Sequence, residues 1–256
     1  MRELLRLKID RFRHELARTD IDRTARALHI AELSLKAARV VPTFALGHER
    51  LYELTTAPKR FRGLRDLAVR VAGVDDVTAL AALAGTPTTR IRARLARGDL
   101  PYVGEIDGRM LVHSWFHRGP EPFSEDTPLF PRWAIPADTF WSYHAYTLPE
   151  ARTSGVFVKV FQIALHELLT THGAARVRCL VKASNMASVQ LHERMGFHRL
   201  GTVVAFAMPG ARLVSWHDDT GAQRWVQRRD HDAILPLPPD TNGTPRSHTA
   251  RPGSTL

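Results

Sequence analysis

Apolar and polar residues follow two different periods in the middle of this chain. Residues 175–181 alternate apolar with polar positions, as a half-buried strand does. Residues 140–148 are rich in aromatic and β-favouring side chains and stop at Pro149, which lacks a backbone donor. From Phe157 to residue 169, apolar residues recur at helical spacing until Gly173. The pattern therefore predicts a strand, a loop over residues 150–156, a helix and a second strand.

The preceding region predicts further short elements. Residues 67–71 alternate as a strand, a helix begins near Asp75, and another covers residues 87–95 before Gly98. Residues 101–106 and 109–117 flank an Asp-Gly pair, which is the signal of a β-hairpin. Residues 119–138 are rich in proline and predict a long loop that either borders a functional pocket or runs over the surface.

The two ends differ from the middle, which divides the chain at residues 1–61, 62–216 and 217–256. Residues 1–41 are helical and basic, with an apolar stripe that docks against the same chain, a twin subunit in a homodimer, or an anionic membrane through residues 1–20. Residues 50–54 favour an added strand. Beyond residue 217 the chain is poor in apolar residues and predicts a disordered tail, in which Trp225 and Val226 alone favour anchoring.

Composition narrows the class of protein. A 44% hydrophobic content over 256 residues is typical of a soluble globular protein, and no stretch reaches the roughly 20 apolar residues of a membrane span. The single cysteine, Cys179, excludes an intramolecular disulfide and suits a reducing cytoplasm. The net charge of +10 comes from scattered basic residues without a stacking platform, so we expect no nucleic-acid ligand.

The loop before the predicted central helix has the chemistry of a phosphate site. It contains a cation and a flexible glycine next to a helix N-terminus, where backbone N–H groups point outward and attract anions. These residues are Arg152, Thr153, Ser154 and Gly155. Taken alone, the same residues also fit an ordinary strand-to-helix turn.

A second motif follows the next strand. Asn185 comes directly after it, Ser188 opens a short helix, and Gly196 with Phe197 ends that helix. Together, R-x-x-G-x-F at residues 152–157 and N-x-x-S-x-x-L-H-x-x-x-G-F at residues 185–197 resemble the GNAT superfamily of acyl-CoA N-acyltransferases. The resemblance covers roughly residues 62–216.

This resemblance implies an α/β (α+β) fold, with a mixed, mainly antiparallel sheet flanked by helices and preceded here by the N-terminal helical extension. It also implies acetyl-CoA as the acyl donor. The loop would cradle the CoA pyrophosphate, the end of the preceding strand would pair with pantetheine, and the asparagine would contact the cofactor arm. By resemblance, the cofactor-binding residues are Tyr146, Thr147, Leu148, Arg152, Thr153, Ser154, Gly155, Val156, Phe157 and Asn185.

The chain departs from the family pattern at three positions. Phe157 stands where the family commonly has glycine or alanine, so it either narrows the pyrophosphate approach or packs backwards into the core. Ser154 replaces a residue that is often glycine or basic. His192 occupies the position of a tyrosine that protonates the departing CoA thiolate in many members.

The chemistry that the resemblance implies is direct acyl transfer to an amine in a ternary complex, which needs a base and an acid. A backbone N–H near Thr147 would polarise the thioester carbonyl. We predict His144 as the base, with Asp138 and Glu105 as weaker candidates, and His192 as the acid.

Two questions stay open at the level of sequence. The amine acceptor is not identified, and sugar amines, small metabolites, antibiotics, and protein N-termini or lysines all fit. The departures at Phe157 and His192 also keep a second hypothesis open, in which a GNAT-like protein binds acyl-CoA without catalysis, or serves as a scaffold through its N-terminal helices.

Overall fold

A computed structural model of the protein describes residues 23–37, 45–59, 66–124, 132–208, 211–218, 221–228 and 234–237. Five helices lie within these ranges: α1 (Arg23–Ala37), α2 (Val77–Ala84), α3 (Thr88–Ala96), α4 (Val156–Thr170) and α5 (Met186–Arg194). The strands are β1 (Ala45–Leu54), β2 (Ala68–Val71), β3 (Leu100–Ile106), β4 (Arg109–Arg118), β5 (Arg132–Ala134), β6 (Thr139–Thr147), β7 (Arg176–Lys182), β8 (His198–Met208), β9 (Ala211–Asp218), β10 (Gly221–Arg228) and β11 (Ile234–Pro236).

Nine of these strands form one sheet in the order β10-β9-β8-β1-β7-β6-β4-β3-β2. Neighbouring strands run antiparallel except β6 and β7, which are parallel and joined by α4. The parallel pair exists because the helix carries the chain back to the starting end of the sheet before β7 begins. β11 and β5 form a separate two-stranded parallel pair.

Each face of the sheet carries its own core. One face packs against α4 and α5, and the other packs against α2, α3 and the segment around β5. On the first face the largest group of buried residues comes from α4: Val156, Val160, Phe161, Ala164, Leu165 and Leu168. On the second face the aromatic side chains dominate: Trp115, Phe123, Trp133, Trp141, Tyr143 and Trp216. The amphipathic pattern of each helix decides which residues turn inward.

Several predicted elements are confirmed. β3 and β4 form the hairpin, and both Asp107 and Gly108 have positive φ (51° and 73°), as a tight hairpin turn requires. β6, α4 and β7 follow the predicted order, with a short 3₁₀ turn at Pro149–Ala151 in the predicted loop. The mixed, mainly antiparallel sheet flanked by helices is therefore confirmed as well.

The predicted domain bounds stay predictions, although strand pairing extends beyond two of them. The strand predicted at residues 50–54 is confirmed as the end of β1. β1 lies in the region predicted as a helical extension, yet it sits between β7 and β8 in the sheet. β10 and β11 lie in the predicted disordered tail, yet β10 pairs along its length with β9. Residues 1–22, which include the apolar stripe, and residues 238–256 fall outside the described part of the chain.

The predicted loop at residues 119–138 contains β5 and packs on the second core. Phe123, Trp133 and Ile135 are all buried there, and Phe123 pairs with Trp133 through backbone hydrogen bonds. Residues 125–131 of this segment lie outside the described ranges. In the part of the chain that is described, none of the helices has the length and apolar character needed to cross a membrane.

Candidate functional site

The N-terminus of α4 presents a set of backbone donors. The first hydrogen bond at the start of the helix runs from Lys159 N to Gly155 O. Among the described residues, the N–H groups of Gly155, Phe157 and Val158 have no hydrogen-bond partner. Gly155 has a φ of 80°, which a residue with a side chain adopts only with strain, and this turn lets the loop enter the helix. The predicted loop therefore has the geometry of an anion site.

The side chains of the loop divide between solvent and core. Arg152, Thr153 and Ser154 are exposed, whereas Val156 is buried, so Val156 offers a ligand only its backbone. The Ser154 hydroxyl donates to Ala151 O at 2.7 Å and thereby closes the turn. Phe157 stacks on Phe161 one helical turn later, with ring centroids 5.3 Å apart. Of the two predictions for Phe157, packing backwards onto the core is the one that the structure shows.

β6 and β7 separate next to this loop. Their pairing is confined to residues 139–142 of β6 and 176–179 of β7. Beyond Ser142, β6 remains paired with β4 on its other side, through Tyr146 and Thr147. Backbone groups of β6 that turn away from β4 therefore face the opening between β6 and β7, where an extended ligand can add hydrogen bonds as a strand would.

Arg152 borders this opening. Its Nε donates to Thr147 O at 3.3 Å, and its guanidinium lies 6.0 Å from the centre of the Tyr146 ring. Leu148 N donates to Leu111 O, which holds the end of β6 to β4. The structure thus brings Tyr146, Thr147, Leu148 and the loop together along one edge of the opening.

Asn185 lies at the N-terminus of α5, where it caps the helix. Its side-chain oxygen accepts a hydrogen bond from Ser188 N at 3.2 Å. An N-cap of this kind stabilises a helix by about 1 kcal/mol, which by itself accounts for an asparagine at this position. The residue is exposed, so its amide nitrogen stays accessible to a ligand.

His192 is buried in the core between α5, α4 and β1. Its Nδ1 donates to Ser188 O at 2.7 Å, and its ring lies 5.4 Å from Phe161 and 5.1 Å from Phe197. Burial lowers the pKa of His192, and the hydrogen bond to Ser188 only partly opposes this. The ring is therefore neutral at pH 7 and its one N–H is taken by a carbonyl. This arrangement is unfavourable for a general acid, and the role predicted for His192 stays a prediction.

His144 lies on a β-bulge in β6. Trp115 of β4 faces Tyr143 and His113 faces Tyr146, so Ser114 alone spans the two β6 residues His144 and Ala145. His144 has a φ of 46°, unusual for a residue with a side chain, and it is exposed. The bulge turns its side chain out at the point where β6 and β7 separate.

The two weaker candidates for the base have other partners. Glu105 binds Arg70 in an ion pair of 2.7 Å at the β2 edge of the sheet. Asp138 precedes β6 and accepts hydrogen bonds from Arg176 and Thr139. At about 3.3 Å per strand residue, Asp138 lies roughly 20 Å along β6 from the bulge. Neither is positioned beside the opening as His144 is.

The structure adds one residue that the sequence did not indicate. His113 of β4 is fully buried beneath His144, with the two rings parallel within 3° and their centroids 5.3 Å apart. Neither ring nitrogen of His113 has a hydrogen-bond partner of good geometry, and the hydroxyl of neighbouring Ser114 also lacks one. The alternation of His113, Trp115 and His117 in β4 signals a buried face, but the bulge that brings His144 over it has no sequence signal.

Comparisons with solved structures found chains of similar fold. The chain is similar to a GCN5-related N-acetyltransferase from Kribbella flavida (15% identity, TM-score 0.48, covering 69% of this chain and 64% of that one). It is also similar to a putative acetyltransferase of the GNAT family from Novosphingobium aromaticivorans (17% identity, TM-score 0.46, covering 65% of this chain and 68% of that one). A third similar structure is a GNAT-family acetyltransferase from Colwellia psychrerythraea (19% identity, TM-score 0.44, covering 70% of this chain and 62% of that one).

The chain thus spans slightly less than two thirds of the Kribbella protein. No protein-family model and no curated protein sequence matches it. These likenesses, all below 20% identity, concern the fold, and the chemistry of this chain has to follow from its own residues.

Proposed function

We propose that the protein is an acyl-CoA-dependent N-acyltransferase that transfers an acetyl group from acetyl-CoA to an amine. One observation carries this proposal: the opening between β6 and β7 leads from a bulged strand directly to the unpartnered N–H groups at the start of α4. The opening along β6 suits an extended, amide-containing arm, and the N–H groups at the start of α4 suit a phosphate group. CoA has both parts in this order.

The residues of the loop and of β6 would hold the donor. The N–H groups of Gly155, Phe157 and Val158 would bind the pyrophosphate, and Arg152 would add a cation at the same place. The β6 backbone from Tyr143 to Thr147 would pair with the pantetheine arm. When bound, acetyl-CoA supplies the activated thioester, and the bulge marks the end of the arm where the thioester would lie.

His144 is the group best placed to take the proton that an ammonium acceptor must lose before it attacks. A C–N bond then forms at the thioester carbon and the C–S bond breaks. The sulfur leaves as a thiolate and takes its proton from water, because the N–H of His192 is bonded to Ser188 O. The balanced products are an amide, free CoA and one proton released to solvent.

The burial of His192 also favours the second function considered above, a GNAT-like protein that binds acyl-CoA without turnover. The two functions differ in a simple measurement, since both require acetyl-CoA binding but only the first releases free thiol with an amine. Thiol release that depends on an added amine and on His144 selects the enzyme.

The cofactor site is tested by Gly155→Glu. The new side chain adds a negative charge where phosphate would bind, so we expect the affinity for acetyl-CoA, measured by calorimetry, to fall at least 100-fold. Gly173→Glu is the matched control, because Gly173 follows the other end of α4, has a similar φ of 68°, and likewise has open space at its Cβ position.

Both variants add the same charge and a similar backbone strain of about 1 kcal/mol, so the comparison isolates the position of the charge beside the loop. If Gly155→Glu binds acetyl-CoA as tightly as Gly173→Glu while both are folded, the loop does not hold the pyrophosphate.

A further inference from the structure

His144, the base that we propose, is a surface side chain whose ring has to be held in place. It lies on the bulge of β6 and is exposed. An exposed side chain samples several rotamers, whereas a general base must stay within hydrogen-bond reach of the proton that it takes. A misplacement of about 1 Å can lower the rate of a catalysed step roughly 100-fold. A contact that fixes the His144 ring therefore bears directly on turnover.

The bulge brings the ring of His144 over a second ring, that of His113 in β4. An uninterrupted ladder would pair His144 with Ser114 and so place it on the face of the sheet away from His113. In the bulge, Ser114 spans both His144 and Ala145, and His144 has a φ of 46°. This change of register turns the side chain of His144 onto the His113 side.

The ring of His113 supplies a flat, fixed surface beneath His144. The two rings are parallel within 3° and their centroids are 5.3 Å apart, which is an offset stack of the kind that aromatic pairs favour. His113 is fully buried, and its ring lies 6.4 Å from that of Trp115 and 6.3 Å from that of Tyr146. A buried ring packed between two larger rings keeps one orientation, so the surface under His144 keeps it too.

The charge state of His113 also suits a support for a base. Burial, then the nearby His144 and Arg94, lower the pKa of His113 to about 3, so its imidazole is neutral at physiological pH. A base becomes positively charged when it takes a proton, and a cation directly beneath it would oppose that step. A neutral ring provides the contact without this repulsion, and the face of an aromatic ring attracts a cation.

We propose that His113 is a positioning residue, whose buried ring holds the ring of His144 at the point where β6 and β7 separate. The proposal rests on the acyltransferase function proposed above and assigns no contact between His113 and a substrate. His113 therefore affects turnover only through His144. Its loss is expected to lower kcat while leaving the binding of both substrates unchanged.

Two substitutions test whether a flat ring is needed: His113→Leu removes the ring and His113→Phe keeps one. Free-thiol release from acetyl-CoA is measured with the amine used fastest among glucosamine, spermidine, the standard L-amino acids and a lysine-containing peptide. We expect His113→Leu to lower kcat at least 10-fold, with acceptor KM and acetyl-CoA affinity within about threefold of the parent. His113→Phe should keep kcat within about threefold of the parent.

Phe140→Leu is the matched control for the loss of a buried ring. Phe140 is buried near the start of β6, away from the bulge, and its ring lies 6.1 Å from that of His172 at the other end of α4. This variant should keep the parental kcat. Folding of every variant is checked by circular dichroism, and His113→Met, which also lacks a ring, replaces His113→Leu if that variant is unfolded.

A double-variant cycle with His144→Ala separates positioning from packing. Added to His144→Ala, His113→Leu should leave the residual turnover within about twofold, because the side chain that His113 supports is already gone. An equal loss in both backgrounds overturns the assignment, since His113 would then act independently of His144.

Two further results overturn it: a folded His113→Leu that keeps more than about a third of the parental kcat, and a folded His113→Phe as slow as His113→Leu. Absence of amine-dependent thiol release by the parent protein refutes the proposed function itself.

Discussion

Three histidines, His113, His144 and His192, differ in what surrounds them. This difference separates the roles that we propose for them. His144 is exposed on a bulge, so it can exchange a proton with a substrate and with solvent. His192 is packed among aromatic rings and bonded to a carbonyl, and His113 is buried below His144. Residue type alone makes all three candidates for proton transfer, whereas exposure makes His144 the one that we propose as the base.

The role of His192 is tested by His192→Phe, which keeps an aromatic ring in the same cavity. We expect turnover within about threefold of the parent, with an unchanged pH profile, because the lost hydrogen bond is structural. His144→Ala should lower turnover by about 10²- to 10⁴-fold, as loss of a general base typically does. Both are measured at saturating acetyl-CoA. A loss above 30-fold in folded His192→Phe would restore His192 as the acid.

At the scale of elements, the distance between α4 and the sheet depends on a glycine. Gly104 of β3 lies under the helix, and a Cβ added there would come within 2.5 Å of Val160 Cγ2 and 2.8 Å of Val112 Cγ1. The absence of a side chain therefore lets α4 pack close to β3 and β4. Since the N-terminus of α4 carries the N–H groups that we propose for phosphate binding, this packing also sets the distance of the proposed cofactor site from the sheet.

Gly104→Ala should consequently destabilise the protein by about 1–3 kcal/mol, as overpacking in a core usually does. Gly73→Ala is the control, because Gly73 has an extended backbone with a φ of −122° and nothing within 4 Å of its Cβ position. Urea unfolding of both variants measures the difference. Equal stability of the two would show that α4 shifts to accept a methyl group at no cost.

At the scale of the whole molecule, buried ionisable groups link stability to pH. His113 and His192 both have pKa values lowered by burial, so the unfolded chain binds protons that the folded chain refuses once the pH falls below about 6.5. Asp99 makes stability depend on pH in a second, more acidic range. Burial would raise its pKa, but hydrogen bonds from His117, Arg97 and Tyr143 outweigh this and hold the pKa below its usual value.

We therefore expect the free energy of unfolding to decrease as pH falls below about 6.5, by roughly 1.4 kcal/mol per pH unit for His113, with a further decrease of the same sign from His192. The contribution of Asp99 is present above pH 4 and is lost below it, as the pH falls through its folded-state pKa. Urea unfolding at pH 7.5, 6.5 and 5.5 measures the first window. His113→Phe should flatten the slope, and a stability that is constant from pH 7.5 to 5.5 in the parent would contradict the burial of neutral histidines.

The sequence by itself determined the elements around the proposed cofactor site. Aromatic and β-favouring residues ending at Pro149 predicted β6, and alternation predicted β7. Helical spacing predicted α4 and Asp107-Gly108 predicted the hairpin turn, because each depends on residues adjacent in the chain. The loop from Arg152 to Phe157 was predicted for the same reason, since a helix N-terminus presents its donors whatever packs around it.

Only the tertiary structure decided what depends on partners distant in sequence. β1 and β10 belong to the sheet because β7, β8 and β9 accept them, and local pattern predicted only the end of β1 at residues 50–54 and an anchor at Trp225 and Val226 in β10. His192 and His144 carry the same side chain, yet one is buried by Phe161 and Phe197 while a register shift against β4 turns the other outward over His113. Protonation and hydrogen bonding follow burial, and burial is a property of the assembled chain.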